Sequence, residues 1–250
     1  MEGYIMDNLF NQISTLLNIS IPQEVINAFD NPIYMKHKND YLIRLLSIEE
    51  VTEMYLYLNE DVNISEVLPL WTDDSSNYVG VYMFGPQTGK VCFINHEEID
   101  LSPVYPNVHT FIKILSENSE SDWYELPTHY PLSKEHTDEL QVKQDVQAIK
   151  ELKNLLKNPE LDEDKRTQYL FSIMAITPYT QLDEIIPLLE DSNMWVQERA
   201  AEILGFHRYL PAKEKLNWVK EHGQYNGKMA AELALKRIRM ELKSLNKKKQ

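Results

Sequence analysis

YVGVYMF, residues 78–84, and KVCFIN, residues 90–95, are two runs rich in β-branched and aromatic residues. They are joined by GPQTG, residues 85–89. Two such runs, linked by a few residues that include Gly and Pro, are typical of a β-hairpin. The sequence therefore predicts an antiparallel pair of strands here, and the fold class depends on what surrounds this pair.

The first run also predicts which side chains face the interior, because successive side chains of a strand point to opposite faces. Val79, Val81 and Met83 fall on one face, and we expect these aliphatic side chains to contact helices. The other face carries Tyr78, Gly80, Tyr82 and Phe84. We expect this second face to be half open, with tyrosine rings packed and their hydroxyls in water.

Helical patterns lie on both sides of the hairpin. Ser47 followed by Glu50 matches a capping box, which predicts a helix through about Leu58. Apolar spacing predicts further helices over 7–18, from Pro22 onward and over 107–117, and a strand over 41–46. The N-terminal half is therefore predicted to be α+β, with an antiparallel sheet backed by helices.

The C-terminal half has only helical patterns. They cover residues 140–157, 163–176, 182–190, 193–206, 211–222 and 226–245. Paired alanines at 200–201 and 230–231 would let stacked helical pairs approach closely. Residues 119–140 are polar and lack periodicity, so we predict an α+β domain over 1–118, a linker over 119–140 and an all-α domain over 141–250.

The charge distribution changes at about the same place. The chain has 250 residues and a formal charge of −14, but residues 1–140 carry 23 acidic and six basic side chains, a net charge of −17. Residues 141–250 carry 16 acidic and 19 basic side chains, a net charge of +3. This asymmetry favours two domains with different partners. Phosphates would be repelled by the first half, which disfavours nucleic acid or an anionic membrane as its partner.

Several function classes are disfavoured by the same reading. The single cysteine, Cys92, permits no intramolecular disulfide and no Cys-based zinc site. No run approaches the ~20 apolar residues of a membrane span. The first residues lack the basic and apolar segments of a signal peptide, so we expect a cytoplasmic protein, or one exported by a route that leaves no signal of this kind.

The motifs that resemble active sites fail on spacing. Residues 96–98, His-Glu-Glu, do not begin an HExxH motif, because Asp100 stands where the second His would be. The Asp pair at 73–74 lacks the spacing of an EF-hand, and residues 85–89 lack the Gly-Lys-Ser/Thr ending of a phosphate-binding loop. Cys92 lies in an apolar strand and is interpreted as a small hydrophobic residue. We therefore predict no enzyme, no catalytic residue, no metal and no cofactor.

The N-terminal 120 residues resemble the SUKH superfamily of Smi/Knr-like proteins. The similarity rests on successive segments: IPQE at 21–24, LLSIEEV at 45–51, LPLWTDD at 68–74, YVGV at 78–81, GKVCF at 89–93 and FIKIL at 111–115. The resemblance implies an α+β domain without enzymatic chemistry. Many bacterial members look like immunity proteins that silence toxin domains, often nucleases, whereas fungal members look like regulatory interaction modules.

The C-terminal segment from Leu188 to Gly205 resembles a HEAT repeat, and residues 211–239 resemble a second one more weakly. One position departs from the motif: Gln197 stands where an Arg usually follows the Val. Asp191 is therefore also open to interpretation as a cap of the following helix.

These observations predict a non-enzymatic protein-binding module, an immunity-type protein that neutralises a basic toxin domain. Opposite charge would speed the encounter, and aromatic side chains would supply affinity. The candidate partner-binding residues are Trp71, Asp73, Asp74, Tyr78, Tyr82, Glu97, Glu98 and Asp100. The alternative is a cytosolic scaffold or regulator acting through its helical repeats. The sequence does not set an oligomeric state.

Overall fold

The computed structural model describes residues 2–38, 40–60, 65–95 and 100–247. The chain divides into two compact units, Met1–Tyr130 and Pro131–Gln250. The first unit combines helices with one antiparallel sheet, and the described residues of the second unit contain helices and no strand. The mixed α+β class predicted from the sequence is therefore confirmed.

The described residues of the first unit form five helices and five strands. The helices are α1 (Glu2–Leu17), α2 (Gln23–Ala28), α3 (Pro32–His37), α4 (Ile48–Glu60) and α5 (Val108–Glu117). The strands are β1 (Arg44–Leu45), β2 (Val67–Thr72), β3 (Tyr78–Tyr82), β4 (Val91–Ile94) and β5 (Pro103–Tyr105). The strands form one sheet in the order β1-β2-β3-β4-β5, in which every neighbouring pair is antiparallel.

The predicted hairpin is the β3–β4 pair. Gly80 lies opposite Cys92, and Val81 lies opposite Val91. The connection needs two residues in the left-handed region, and both are glycines: Gly85 has φ +83° and Gly89 has φ +80°. Glycine adopts this region without the steric penalty of a Cβ, which is why these two residues allow the turn.

Strand β2 contains a bulge that sequence periodicity did not predict. Pro69 pairs with Gly80 and Trp71 pairs with Val79, so Leu70 is an extra residue on the β2 side. Leu70 and Trp71, although consecutive, both lie in the largest hydrophobic cluster of the unit. We call this cluster the central core.

The structure agrees with the prediction for one face of β3 and differs from it for the other. Val79, Val81 and Met83 lie in the central core, as predicted for the helix-facing side. On the other face Tyr82 is only 6% exposed, and its hydroxyl donates a 2.7 Å hydrogen bond to the carbonyl of Leu101. The expectation of a hydroxyl in water is therefore wrong for Tyr82, because α4 and the segment before β5 cover this face with a second, smaller cluster.

The second unit consists of helices α6 (Glu139–Leu155), α7 (Glu163–Ile176), α8 (Met194–Phe206), α9 (Lys213–His222) and α10 (Tyr225–Lys247). Where the sequence predicts one helix over 182–190, the structure has two short 3₁₀ helices, Tyr179–Glu184 and Ile186–Glu190. Pro187 explains the interruption, since proline lacks the N–H that a continuous helix needs at this position. A third 3₁₀ helix covers Leu210–Ala212.

Part of the predicted linker, residues 119–140, belongs to the first unit and packs on its core. Leu126 belongs to the central core, and the Trp123 ring contacts the Phe93 ring at 5.4 Å between centroids. The division between the units falls after Tyr130, and α6 begins at Glu139. No helix in the described part of the chain is long and apolar enough to cross a membrane.

Candidate functional site

A groove of about 470 Å³ lies on the first unit, between α4, the edge strand β1 and the turn after β2. The α4 side of the groove consists of Glu50, Glu53, Met54 and Tyr57. These positions share one face of the helix, because residues three or four apart are neighbours on a helix surface. Arg44, Asp74 and Tyr78 lie on the sheet side, and we call this site the acidic groove.

Arg44 joins the two sides of the acidic groove. Its Nη2 atom is 2.7 Å from Glu50 Oε1 on α4, and its Nη1 atom is 3.0 Å from Glu50 Oε2. On the other side its Nε and Nη2 atoms donate to the carboxylate of Asp74, at 3.0 and 2.6 Å. A guanidinium with carboxylates on both sides is a strong charge-assisted arrangement that fixes the geometry of the groove. These hydrogen bonds raise the pKa of Arg44 above its usual range.

Glu50 has a second function at the start of α4. Its Oε2 atom accepts a hydrogen bond from the backbone N–H of Ser47 at 2.8 Å, and the Ser47 hydroxyl accepts one from the N–H of Glu50 at 3.2 Å. The predicted capping box is thus observed. The hydrogen bonds from Arg44, followed by that from the Ser47 backbone, lower the pKa of Glu50 to about 2.

The turn between β2 and β3 presents Asp74 to the groove. The Asp73 side chain forms hydrogen bonds within the turn, since its Oδ1 accepts them from the backbone N–H groups of Ser75 and Asn77. Asp74 (φ +59°) and Ser76 (φ +67°) both have left-handed backbone conformations. With Asp73 holding the turn, the Asp74 side chain is left 62% exposed at the groove.

The open edge of the acidic groove combines negative charge with aromatic surface. Glu53 is exposed, Tyr57 is 52% exposed and Tyr78 is half-buried. Burial, and then the negative charges of the surrounding carboxylates, with Glu50 the largest contributor, raise the pKa of Tyr78. The groove therefore has an excess of negative charge even with Arg44 inside it. Carboxylate acceptors beside tyrosine rings are suited to binding a guanidinium or ammonium group.

Among the described residues, no group of three or more His, Cys, Asp or Glu side chains could hold a metal ion. Cys92 lies on another part of the sheet, is fully buried and has its pKa raised by that burial, so the thiol is not an accessible nucleophile.

The structure separates the predicted partner-binding residues. Asp74 and Tyr78 line the acidic groove, and Asp73 shapes the turn beside it. Trp71 and Tyr82 are in the interior, with exposures of 0% and 6%, so neither side chain offers surface to a partner.

Trp71 lies in an aromatic group at the centre of the core. Its Nε1 donates a 2.8 Å hydrogen bond to the Tyr34 hydroxyl, and its ring stacks on Phe29 at 5.5 Å. A strand residue predicted to contact a partner is thus enclosed, because the bulge in β2 turns it toward the helices.

Asp100, another predicted residue, is not part of the groove lining. Asp100 is half-buried, and its Oδ1 accepts a 2.9 Å hydrogen bond from the N–H of Ser102. Glu97 and Glu98 lie outside the described residues.

Sequence reasoning missed Arg44, Glu50, Glu53 and Tyr57 as site residues. The helix predicted from Ser47 carries a signal for three of them, since positions 50, 53 and 57 have the spacing of one helix face. No local pattern predicts that Arg44 contacts Asp74, which is 30 positions away in the chain.

Comparisons of this chain with protein-family models, with curated proteins and with solved structures found no match.

Proposed function

We propose that this chain is a non-enzymatic protein-binding module of the immunity type, which binds and neutralises a basic toxin domain through the acidic groove of its first unit. Nucleases are one class of toxin domain with a suitably basic surface. The observation that carries the proposal is the groove itself: Glu53 and Asp74 lie at its edge beside the Tyr57 and Tyr78 rings.

The groove has the chemistry of a recognition site for Lys or Arg side chains. Arg44 compensates part of the charge of Glu50 and Asp74, while Glu53 makes no ion pair with a described residue. A partner cation could therefore pair with Glu53 and pack on a tyrosine ring without displacing Arg44. Charge outside the groove acts in the same direction, since residues 1–130 carry 20 acidic and five basic side chains.

The proposal includes a SUKH-like fold for the first unit. The segments that carry the resemblance fall on consecutive elements: IPQE begins α2, LLSIEEV begins α4, LPLWTDD forms β2 with its turn, and FIKIL lies within α5. A five-stranded antiparallel sheet with helices packed on it agrees with the architecture that this resemblance implies.

The proposal also includes a HEAT-like arrangement of the second unit. Arg166 of α7 binds Asp191, with Nη2–Oδ2 at 2.5 Å and Nη1–Oδ1 at 3.3 Å, which links successive helical pairs. Gln197 makes the next link, because its Nε2 donates to the Leu189 carbonyl and its Oε1 accepts from the N–H of Gln224. These contacts support a ladder between stacked pairs, in which Gln197 takes the place of the usual Arg.

The experiment that tests the proposed function expresses a candidate toxin domain taken from the genes that neighbour this one, and measures its binding to the chain together with rescue of the cells that express it. We expect the full chain to bind it and relieve toxicity. Glu53→Lys should weaken binding about tenfold, because a rim charge pair is replaced by repulsion. The loss should shrink as salt is raised, since screening removes both the pair and the repulsion.

The matched control is Glu117→Lys, which makes the same charge change on an exposed position at the end of α5. Equal weakening by Glu53→Lys and Glu117→Lys would show that net charge alone matters and would contradict the groove as the binding site. Failure of the wild-type chain to bind the neighbouring domain or to relieve its toxicity would contradict the immunity function.

A second candidate function, a scaffold acting through the helical unit, is favoured by an exposed apolar stripe. The stripe comprises Trp218 on α9 and Tyr225, Met229, Leu233 and Met240 on α10, which are 41–78% exposed. Exposed apolar patches of this kind often mark interaction sites. In the same binding assay, a loss of toxin binding in Met229→Glu but not in Glu53→Lys would assign the binding surface to the helical unit and contradict the acidic groove as the binding site.

A further inference from the structure

A second cavity, of about 590 Å³, lies within the helical unit. It is bounded by residues 133–135, by the C-terminal end of α8 with the loop 208–211, and by one face of α10. Its size is within the range of small-molecule sites, and it is separate from the groove to which we assign partner binding. We call it the helical-unit cavity.

The helical-unit cavity has an aromatic wall. The Tyr179 ring lies 5.8 Å from the His207 ring and 5.7 Å from the Tyr209 ring, with an edge-to-face arrangement in both pairs. The Tyr209 hydroxyl is engaged, because it donates to Asp183 at 2.9 Å. The Nε2 atom of His207 is buried and has no hydrogen-bond partner among the described residues. Burial lowers the pKa of His207 to about 4, and the ring is therefore uncharged at pH 7.

Three cationic side chains line the cavity, together with two acidic ones. Lys134 holds its Nζ 5.0 Å from the centre of the Tyr179 ring. Arg237 makes no ion pair with a described residue, and Arg208 is 3.9 Å from Glu241, at the outer limit of an ion pair. With Glu135 as the second acidic residue, the lining has an excess of one positive charge. Positive charge beside an aromatic wall is suited to a ligand with a planar ring and an anionic group.

The backbone conformation of Arg208 indicates that its side chain has a function in the cavity. Arg208 has φ +49° in the position after the C-cap of α8, where glycine is favoured. The helix end is closed by backbone bonds alone: the N–H of Arg208 donates to the Gly205 carbonyl, and that of Tyr209 donates to the Leu204 carbonyl. An Arg in this conformation is strained, and the cap does not use its side chain, so the strain points to a use in the cavity.

We propose that the helical-unit cavity binds a small aromatic anion of the nucleoside monophosphate class. The base lies against the Tyr179 and His207 rings, and the phosphate is held by Lys134, Arg208 and Arg237. A mononucleotide is favoured over a nucleic-acid strand because residues 131–250 carry 20 basic and 19 acidic side chains, too few excess cations to follow a phosphate backbone.

The test is calorimetric titration of the full chain with AMP, GMP, CMP and UMP at low salt. We expect at least one of them to bind, and we expect adenosine and inorganic phosphate, which each carry only one half of the chemistry, to bind at least tenfold more weakly. Tighter binding of a ten-nucleotide single strand than of every monophosphate would overturn the proposal in favour of nucleic-acid binding. Absence of binding by all four monophosphates would overturn it as well.

Arg208→Gly separates a ligand role from a structural one. Glycine relieves the left-handed strain, so this variant should melt at the same or a higher temperature than the wild type while binding the monophosphate at least tenfold more weakly. Arg237→Gln should also weaken binding, whereas Arg239→Gln, two positions along the same helix and outside the cavity lining, should not. Equal effects of Arg237→Gln and Arg239→Gln, or unchanged binding by Arg208→Gly, would overturn the assignment.

Discussion

At the residue scale, Glu50 connects local structure to the acidic groove. One carboxylate closes the capping box of α4 and also binds the guanidinium of Arg44. The sequence predicts the first contact, because a capping box joins residues three positions apart. It does not predict the second, which depends on β1 lying beside the helix.

Replacing Glu50 with Gln tests this dual function. We expect Glu50→Gln to lower the free energy of unfolding of the first unit by about 0.5–1.5 kcal/mol at pH 7, a modest value because the side chain is 39% exposed. The pKa of about 2 in the folded state lies below the ordinary value of 4.5. The stability that the wild type gains from this group is therefore present above pH 4.5 and is lost as the pH falls toward 2.

Urea unfolding of both proteins at pH 7 and pH 3 measures the difference. Following tryptophan fluorescence in a background with Trp195→Phe and Trp218→Phe restricts the signal to the first unit, which contains Trp71 and Trp123. The difference in the free energy of unfolding between wild type and Glu50→Gln should be smaller at pH 3 than at pH 7. An unchanged difference would contradict the assignment of this stability to the Glu50 carboxylate. The control is Glu53→Gln, on the same helix face without an ion pair to a described residue.

At the element scale, the helix starts and the hairpin follow from short sequence signals, whereas three other features do not. The short strand β5 has no clear period-two pattern, the bulge in β2 is set by pairing with β3, and Pro187 divides a predicted helix into two 3₁₀ segments. In each case packing or a single residue overrides the periodicity on which the prediction rests.

The contact between α8 and α10 depends on Gly205. A Cβ at this position would lie 2.7 Å from the Cβ and 2.8 Å from the Cα of Ala234. Relieving the contact with this Cα would require the backbone at Ala234 to shift, which costs more than moving a flexible side chain. We therefore expect Gly205→Ala to destabilise the second unit by about 1–3 kcal/mol, as overpacking does. Leu233→Ala, on the exposed side of α10, should change stability little. Urea unfolding followed by the fluorescence of Trp195 and Trp218 measures the stability of both variants. An equal loss of stability in Gly205→Ala and Leu233→Ala would contradict the close packing of α8 on α10 at Gly205.

At the scale of the whole molecule, the chain contains two units with separate buried clusters. The central core lies within residues 10–126, and the main cluster of the helical unit lies within residues 170–238. The change in net charge and the end of the β pattern both predict a division near residue 140, and the units divide after Tyr130. The difference arises because residues 119–130 are polar in sequence yet contribute Leu126 to the central core.

Because each unit has its own buried cluster, we expect residues 1–130 and residues 131–250 to fold when expressed separately. Circular dichroism and cooperative urea unfolding of each fragment provide the measurement. In the full chain Cys92 reports on the first unit alone, since its buried thiol becomes reactive only when that unit opens. Its protection should be lost at the same urea concentration in the full chain and in fragment 1–130. A fragment without cooperative unfolding would contradict this independence.

The sequence by itself determined the features whose causes lie close together in the chain: the β3–β4 hairpin with its two turn glycines, the capping box at Ser47, and the change from a mixed half to a helical half. Only the tertiary structure decided the site. It enclosed Trp71 and Tyr82, which the sequence offered as binding residues, and it placed Arg44 between Glu50 and Asp74. The physical reason is that turns and caps depend on neighbours a few residues apart, whereas burial and ion pairing depend on which distant segments pack together.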